Sequence, residues 1–244
     1  MRIQVWAASD IGKIKKNNED LALIDHVFIR DEVYESQFDI IKPMAVAVAD
    51  GVGGAEGGEI ASEMVLKSLL DFITKIDDTT SENISHQLKE WACATNKSIL
   101  EFACNEGYRG MGTTLSGILF LYEETFIFNA GDSRIYRYRD GILRQLTTDH
   151  TLRELSRNKD IPGNIIYNAF GVEKDFFIDI INITSQIRTN DSFLICSDGL
   201  SDLVSNDEIE KCLESDSPAI HLVSLANQHG GKDNITAIFI NTML

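Results

Sequence analysis

Aspartates recur in this sequence at the ends of apolar runs. Asp50 closes Met44-Ala-Val-Ala-Val-Ala49, Asp132 follows Phe126-Ile-Phe-Asn-Ala-Gly131, Asp198 follows Ser192-Phe-Leu-Ile-Cys-Ser197, and Asp233 opens the last apolar run after Gly230-Gly-Lys232. Asp20 starts another such run, and Asp202 comes four residues after Asp198. One placement of this kind is an ordinary strand-to-turn connection; the repetition suggests strand ends converging on an acidic cluster. Carboxylates gathered in this way repel one another, and divalent cations are the natural compensation. Without His or Cys among the recurring positions, all-oxygen ligation points to Mg2+ or Mn2+ and away from zinc. Two such ions side by side can activate a bridging water and brace the attacking and leaving oxygens of an in-line displacement. The implied substrate is a phosphoester.

The elements that must hold these carboxylates follow from periodicity. Residues 43–49 read as a strand buried on both faces, and five of the 17 glycines lie between Gly51 and Gly58, where the backbone must bend or pass close to a ligand. Strands are expected at 3–8 and 20–29, with an acidic loop over 31–39. Ile60, Met64, Leu66, Leu69, Leu70 and Ile73 predict an amphipathic helix over 59–75. A second helix is expected over 81–104, with Ser81 or Ser85 as its N-cap. From residue 111 the pattern changes to hairpins: 113–122 with 125–131, then 134–139 with 142–146 turning at Asp140-Gly141. A short helix at 148–156, an irregular stretch at 157–175, strands at 176–184 and 192–197, helices at 206–213 and 217–228, and a strand at 234–241 complete the pattern. Strands and helices come in blocks, which predicts the α+β class, with antiparallel sheets and flanking helices.

Composition narrows the function. The 244 residues carry 22 Lys plus Arg against 38 Asp plus Glu, a net charge of -16, and no basic run long enough to hold a nucleic-acid backbone. Three prolines, no linker and no repeat predict a single domain over 1–244. No run reaches the ~18 apolar residues of a spanning helix and the start lacks a signal-peptide core, so the expectation is a cytoplasmic protein with no membrane association. Cys93, Cys104, Cys196 and Cys212 form no metal-binding spacing and are expected to be reduced, mostly buried thiols. With no heptad or exposed apolar stripe, a monomer is expected.

The chain carries Ser9-Asp-x-Gly-x-x-Lys-x-x-Asn-Glu-Asp20, Asp50-Gly-Val-Gly-Gly54, Gly112-Thr-Thr114, Gly131-Asp-Ser-Arg134, Leu146-Thr-x-Asp-His150, Ser197-Asp-Gly-Leu-x-Asp202 and Asp233-Asn-Ile-Thr236, in that order over residues 3 to 241. In this ordered set the sequence resembles the metal-dependent serine/threonine protein phosphatases called PPM or type 2C, in their bacterial form. Each motif alone is weak, but the ordered set is specific. It implies a four-layer α/β/β/α sandwich, with two antiparallel sheets face to face, helices outside and a dimetal site at one end. Asp50 would bridge two Mn2+ or Mg2+ ions and the Gly51 carbonyl would bind one. Asp198 and Asp233 would ligate the other side, and Asp20 and Glu19 would hold metal or metal-bound water. Asp132 and Asp202 match positions that help bind a third, weaker ion, and Asn234 would orient the ligands. The implied substrates are phosphoproteins, phosphorylated on Ser or Thr by a cognate kinase, hydrolysed by direct attack of metal-activated water.

Three departures from the family pattern qualify this. Lys15 stands where the family has an arginine that grips the substrate phosphate; it supplies charge but not a bidentate fork. Lys13 and Lys16 are the nearby substitutes. Val52 occupies a position where some relatives carry a histidine proposed to protonate the leaving alkoxide, which valine cannot do; a metal-bound water is the favoured acid, and His150 reads better as structural. The segment 151–175, matching a flap beside the active site, is short and carries Asn168-Ala-Phe-Gly171 in place of Arg-Ala-Leu-Gly. A pseudophosphatase that binds without turnover and a hydrolase of small phosphoesters are the competing readings.

Overall fold

A computed structural model describes residues 1–52, 57–76, 81–172 and 175–243, with the side chains of 81 and 82 left aside. Two six-stranded antiparallel sheets form the centre. The first runs β4-β1-β12-β11-β8-β9, built from β1 (Arg2–Asp10), β4 (Val33–Asp39), β8 (Arg134–Arg139), β9 (Ile142–Gln145), β11 (Ser192–Cys196) and β12 (Ile235–Met243). The second runs β10-β7-β6-β5-β2-β3, built from β2 (Leu21–Ile24), β3 (Val27–Ile29), β5 (Met44–Ala49), β6 (Leu115–Phe120), β7 (Thr125–Ala130) and β10 (Asp179–Asn182).

The residue alternation places the layers. Ile3, Val5, Ala7, Ile135, Phe193, Ile195, Ile238 and Ile240 face Ala22, Ile24, Val46, Val48, Ile118 and Phe120 across the sandwich. The opposite face of the second sheet packs Leu23, Ala47, Leu119 and Phe128 against α1 (Gly58–Ile73) and α2 (Ser81–Glu106). The opposite face of the first packs Tyr136, Leu194 and Phe239 against α5 (Asn206–Leu213) and α6 (Pro218–Gln228). Strands that are apolar on both faces, such as β5, β6 and β11, are therefore central by necessity. The result is the four-layer α+β sandwich that the motif set implied. Among the described residues no helix is long and apolar enough to cross a membrane.

Several elements differ from expectation. The supposed acidic loop at 31–39 contains strand β4, paired in register with β1 from Val33 to Asp39. It is an edge strand whose half-buried and exposed residues alternate along its length, and its charges are met by Arg2–Asp39 and Gln4–Glu35 contacts. The strand expected over 20–29 is a tight hairpin, folded at Asp25-His26 with Asp25 at φ 54°. The expected strand at 176–184 shrinks to β10. Upstream, the Asn168 side chain holds the Phe177 backbone through both its N–H and C=O, and downstream Thr184–Gln186 turns into a 3-10 helix. The helix near 148–156 begins only at Leu152 as α3 (Leu152–Ser156), capped by the Thr151 hydroxyl, because residues before it serve the site described below. A one-turn helix α4 (Asp198–Ser201) follows β11 and was not expected. The second helix starts at Ser81, so Ser85, its fifth residue, lies within the helix and is not its N-cap. All four cysteines are free, yet only Cys196 is buried; Cys93 and Cys104 lie exposed on α2. Gly53 and Gly54 of the glycine run, and residues 173 and 174 of the flap, lie outside the described residues.

Candidate functional site

One end of the sandwich collects the strand-terminal aspartates. β5 delivers Asp50, and the β6 entry holds its backbone: Thr114 N–H and the Thr113 hydroxyl both donate to the Asp50 carbonyl (2.8 and 2.9 Å), and Asp50 N–H donates to the Thr114 hydroxyl (3.1 Å). Gly51 N–H donates to the Glu19 carbonyl (3.2 Å), which draws the residue 19 loop across the end of β5. A Cβ on Gly51 would lie 2.6 Å from the Gly58 carbonyl carbon, and one on Gly58 would lie 2.7 Å from Glu19 Oε1. Only glycine at these two positions lets β5, the start of α1 and Glu19 approach so closely.

Asn234 ties the two chain ends of the first sheet together. Its Oδ1 accepts from Glu19 N–H, and its Nδ2 donates to the Ile11 and Asn17 carbonyls, each at 2.9 Å. Gly199 fits beneath it, since a Cβ there would meet the Asn234 carbonyl at 2.0 Å. Asp198 and Asp233 are thereby brought side by side from α4 and from the start of β12.

Asp20 is fully buried; its Oδ2 accepts from the Ser197 hydroxyl (2.7 Å), while Oδ1 has no partner. Burial pushes its pKa up to about 6 against the donors around it, and Asp233 adds to the rise. Asp50 keeps part of its surface open to the cleft, yet burial and then the charges of Asp20, Asp198, Asp132 and Asp233 raise it well above the carboxylate range. Asp198 is raised by the same combination, with Asp202 among its neighbours. Asp132 is pushed up to about 7 by burial, by Asp149 and by Asp202, and its Oδ1 also lacks a partner. Glu19 is raised by burial, with Lys15 opposing. Lys15 places its ammonium 2.6 Å from Asp233 Oδ1. Burial pulls that ammonium down, but Asp233, Glu19 and Asp50 outweigh it and leave it above its usual value. Lys13 and Lys16 are exposed, and Lys13 contributes its backbone N–H to Gly231.

Thus Lys15, Glu19, Asp20, Asp50, Gly51, Asp132, Asp198, Asp202, Asp233 and Asn234 are brought to one end of the fold, with Asp202 exposed at the end of α4. Among the described residues no three of the acidic side chains close into a finished cation cage. The donor set nonetheless fits divalent cations. Two buried carboxylate oxygens, Asp20 Oδ1 and Asp132 Oδ1, have no partner, the donors are all oxygen, and the carboxylates hold one another's protons on in mutual repulsion.

His150 belongs elsewhere. Its Nδ1 receives the Gly131 N–H (3.2 Å) and faces the Asn168 amide (2.7 Å). A backbone N–H can only donate, so Nδ1 is the acceptor and the neutral ring's proton sits on Nε2, 3.1 Å from Asp179 Oδ2. The ring braces the turn that carries Asp132, as expected of a structural histidine. Arg134 grips Asp149 with Nε and Nη2 (3.1, 3.0 and 2.7 Å) and fixes the same turn from the other side.

Arg30 was not foreseen. Its Nε donates to the Asp20 carbonyl (2.9 Å) and its Nη2 to the Glu59 carbonyl and Ser62 hydroxyl (3.2 Å each), pinning β2 to α1 beside Glu19. A lone arginine after an apolar run carries no signal of this. Ser197 was likewise visible only as a motif letter; its hydroxyl links Asp20 to the Thr236 N–H (3.0 Å).

Residues 30–229 match the family model described as Protein phosphatase 2C. The chain is 35% identical over 248 residues to the serine/threonine phosphatase stp of Listeria monocytogenes, covering 95% of this chain and 93% of that protein. Among solved structures it resembles the Streptococcus agalactiae serine/threonine phosphatase (TM-score 0.84, 27% identity, 98% of both chains). It also resembles the catalytic domain of the serine/threonine phosphatase PstP in complex with two manganese ions (TM-score 0.78, 30% identity, 100% of both chains).

Proposed function

The chain belongs to the protein phosphatase 2C family, and we propose that the acidic end of its sandwich is a dinuclear Mn2+ or Mg2+ centre. The protein is a metal-dependent serine/threonine phosphoprotein phosphatase. Asp50, Asp198, Asp233, Asp20 and Glu19 would hold the ions through their carboxylates, and the Gly51 carbonyl would bind one of them. Asp132 and Asp202 would serve a third, weaker site. The observation that carries this reading is the convergence of mutually repelling carboxylates with unpartnered oxygens at Asp20 and Asp132.

Divalent cations bound there supply Lewis acidity toward the phosphoryl oxygens and lower the pKa of water. The protein's own groups do the rest. Lys15, held at the cleft by Asp233, offers its ammonium to the substrate phosphate. Asn234 fixes Glu19, and with it the loop from Ile11 to Asp20, so that the carboxylates are in position before substrate arrives. Val52 offers no proton, and His150 donates to Asp179, so neither is the acid for the leaving alkoxide.

Residues 1–244 act as one domain, because β12 lies between β1 and β11 and contributes to the same site. The substrates are phosphoserine and phosphothreonine proteins made by a cognate kinase in the cytoplasm, and the protein works as a monomer. The test is hydrolysis of p-nitrophenyl phosphate and a phosphothreonine peptide by metal-stripped protein, titrated with Mn2+ and Mg2+, beside Asp50→Asn. Activity that requires metal, extends to the peptide and is lost in the variant is expected; full activity in Asp50→Asn would overturn the assignment.

A further inference from the structure

Arginines face one another on the edge hairpin of the first sheet, at the end of β8 away from Asp132. Arg137 on β8 stands directly opposite Arg144 on β9. Like charges placed opposite each other across a strand pair are destabilising unless something negative meets them. Arg188, from the loop before β11, adds its charge to the same neighbourhood, as does Arg139. The nearby carboxylate, Asp191, is fully buried and already engaged: Arg139 holds it with Nε and Nη2, and the Arg188 backbone N–H donates to it (2.8 Å). Among the described residues neither Arg137, Arg144 nor Arg188 has an ion-pair partner.

Arg137 lines a small cavity with Leu146, Ile187 and Phe193, and its buried Nε donates to nothing. Burial, then Arg139, Arg144 and Arg188, hold the Arg137 guanidinium below its usual pKa, so this charge is crowded as well as unpaired. Arg144 and Arg188 are exposed. In a chain of net charge -16, three unpaired arginines at one spot are a local inversion of sign.

We propose that Arg137, Arg144 and Arg188 form a docking site for an acidic segment of the phosphoprotein substrate, remote from the phosphorylated residue. The proposal rests on the phosphatase reading of the cleft. Asp132 enters β8 at the catalytic end and Arg137 lies five residues along, which at ~3.3 Å per residue is about 16 Å. A substrate chain extended along the seam between the sheets would span this in about five residues. Asp149 is already paired with the Arg134 guanidinium, so it offers less repulsion to an acidic peptide than a free carboxylate would.

The test compares one phosphothreonine core carrying an Asp/Glu segment or a Gln/Ala segment, placed on either side at about five to seven residues. Wild type is set beside Arg144→Gln/Arg188→Gln and Arg144→Glu/Arg188→Glu, both altered at exposed positions. For exposed charge pairs the expected effect is a KM about three- to tenfold lower for the better-placed acidic peptide in wild type, with kcat unchanged. The preference should shrink with added NaCl and vanish in the double variants, while p-nitrophenyl phosphate hydrolysis stays the same. Equal KM values for acidic and neutral peptides in wild type, or a preference that survives both double variants, would overturn the docking site. Loss of hydrolysis on every substrate would strike at the phosphatase reading instead. In that event, fluorescence anisotropy of the non-phosphorylated acidic peptide still decides the docking claim, with binding by wild type and loss in Arg144→Glu/Arg188→Glu expected and equal binding refuting it.

Discussion

The Lys15 ammonium lies 2.6 Å from the Asp233 carboxylate, so a protein cation holds an oxygen that the proposed metal centre needs. Lys15→Met should therefore act in two directions. Releasing Asp233 and removing a positive charge from the cleft should tighten Mn2+ binding, measured by calorimetry, while KM for a phosphothreonine peptide rises by about tenfold, a loss of ~1.4 kcal/mol. Lys15→Arg should restore the KM. Unchanged KM in Lys15→Met would remove Lys15 from phosphate binding.

Asn234 spends every polar atom of its side chain on Glu19, Ile11 and Asn17. Asn234→Ala should weaken Mn2+ binding by about 10–100-fold, as loss of an orienting group does at metal sites. Asn234→Asp keeps the acceptor for Glu19 but loses both donations, so it should fall between the two. An Asn234→Ala protein with wild-type metal affinity would show that the loop holds itself.

Metal binding should release protons. Asp20 is pushed up to about 6 and Asp132 to about 7 in the metal-free protein, and each must give up its proton to ligate a cation. Apparent Mn2+ affinity should then fall as pH drops from about 8 to about 5.5, most steeply through those two values. Calorimetry in buffers of different ionisation enthalpy reads the protons directly; identical heats in all buffers near pH 6.5 would contradict the shifts.

Asp191 works in the opposite sense. Burial raises its pKa, but the Arg139 fork and the Arg188 N–H overcome this and leave it lowered. A lowered folded-state pKa stabilises above the unfolded value and loses that contribution as pH falls through the folded one. Asp191→Asn should lower the melting temperature at pH 7, and the gap to wild type should narrow below pH 4. A gap that is constant with pH would mean the pair acts only through packing.

Gly199 leaves no room for a side chain, since its Cβ would stand 2.0 Å from the Asn234 carbonyl. Gly199→Ala should cost about 1–3 kcal/mol in unfolding free energy, as overpacking does, and should also weaken Mn2+ binding through the displaced Asp198. Wild-type melting would show that α4 can move without strain.

How much of this was legible in the sequence depended on burial. Strands β5, β6 and β11 are covered on both faces, so their apolar runs, and the aspartates that end them, stood out. β4 did not, because an edge strand alternates Tyr34, Ser36 and Phe38 with Glu35, Gln37 and Asp39 and looks like loop. The β2–β3 turn was hidden because Asp25 adopts a positive φ without a glycine to announce it. Arg30 and Ser197 act through backbone carbonyls and through one buried hydroxyl, contacts that depend on which strands become neighbours and leave no spacing to read. Cys93 and Cys104 were expected inside because thiols usually are, but they fall on the outer face of α2.

The position of β12 sets when the site can exist. It pairs with β1 from Arg2↔Met243 to Asp10↔Ile235 and with β11 on its other side, in the middle of the first sheet. Asp20 and Asp233 thus come from stretches of chain that leave the ribosome more than two hundred residues apart in synthesis. Until β12 has emerged, β1 and β11 have no common neighbour, Asn234 cannot reach Glu19, and the proposed metal centre lacks Asp233. Synthesis itself would therefore act as a timer, since the acidic cluster is complete only when the last strand has joined the sheet.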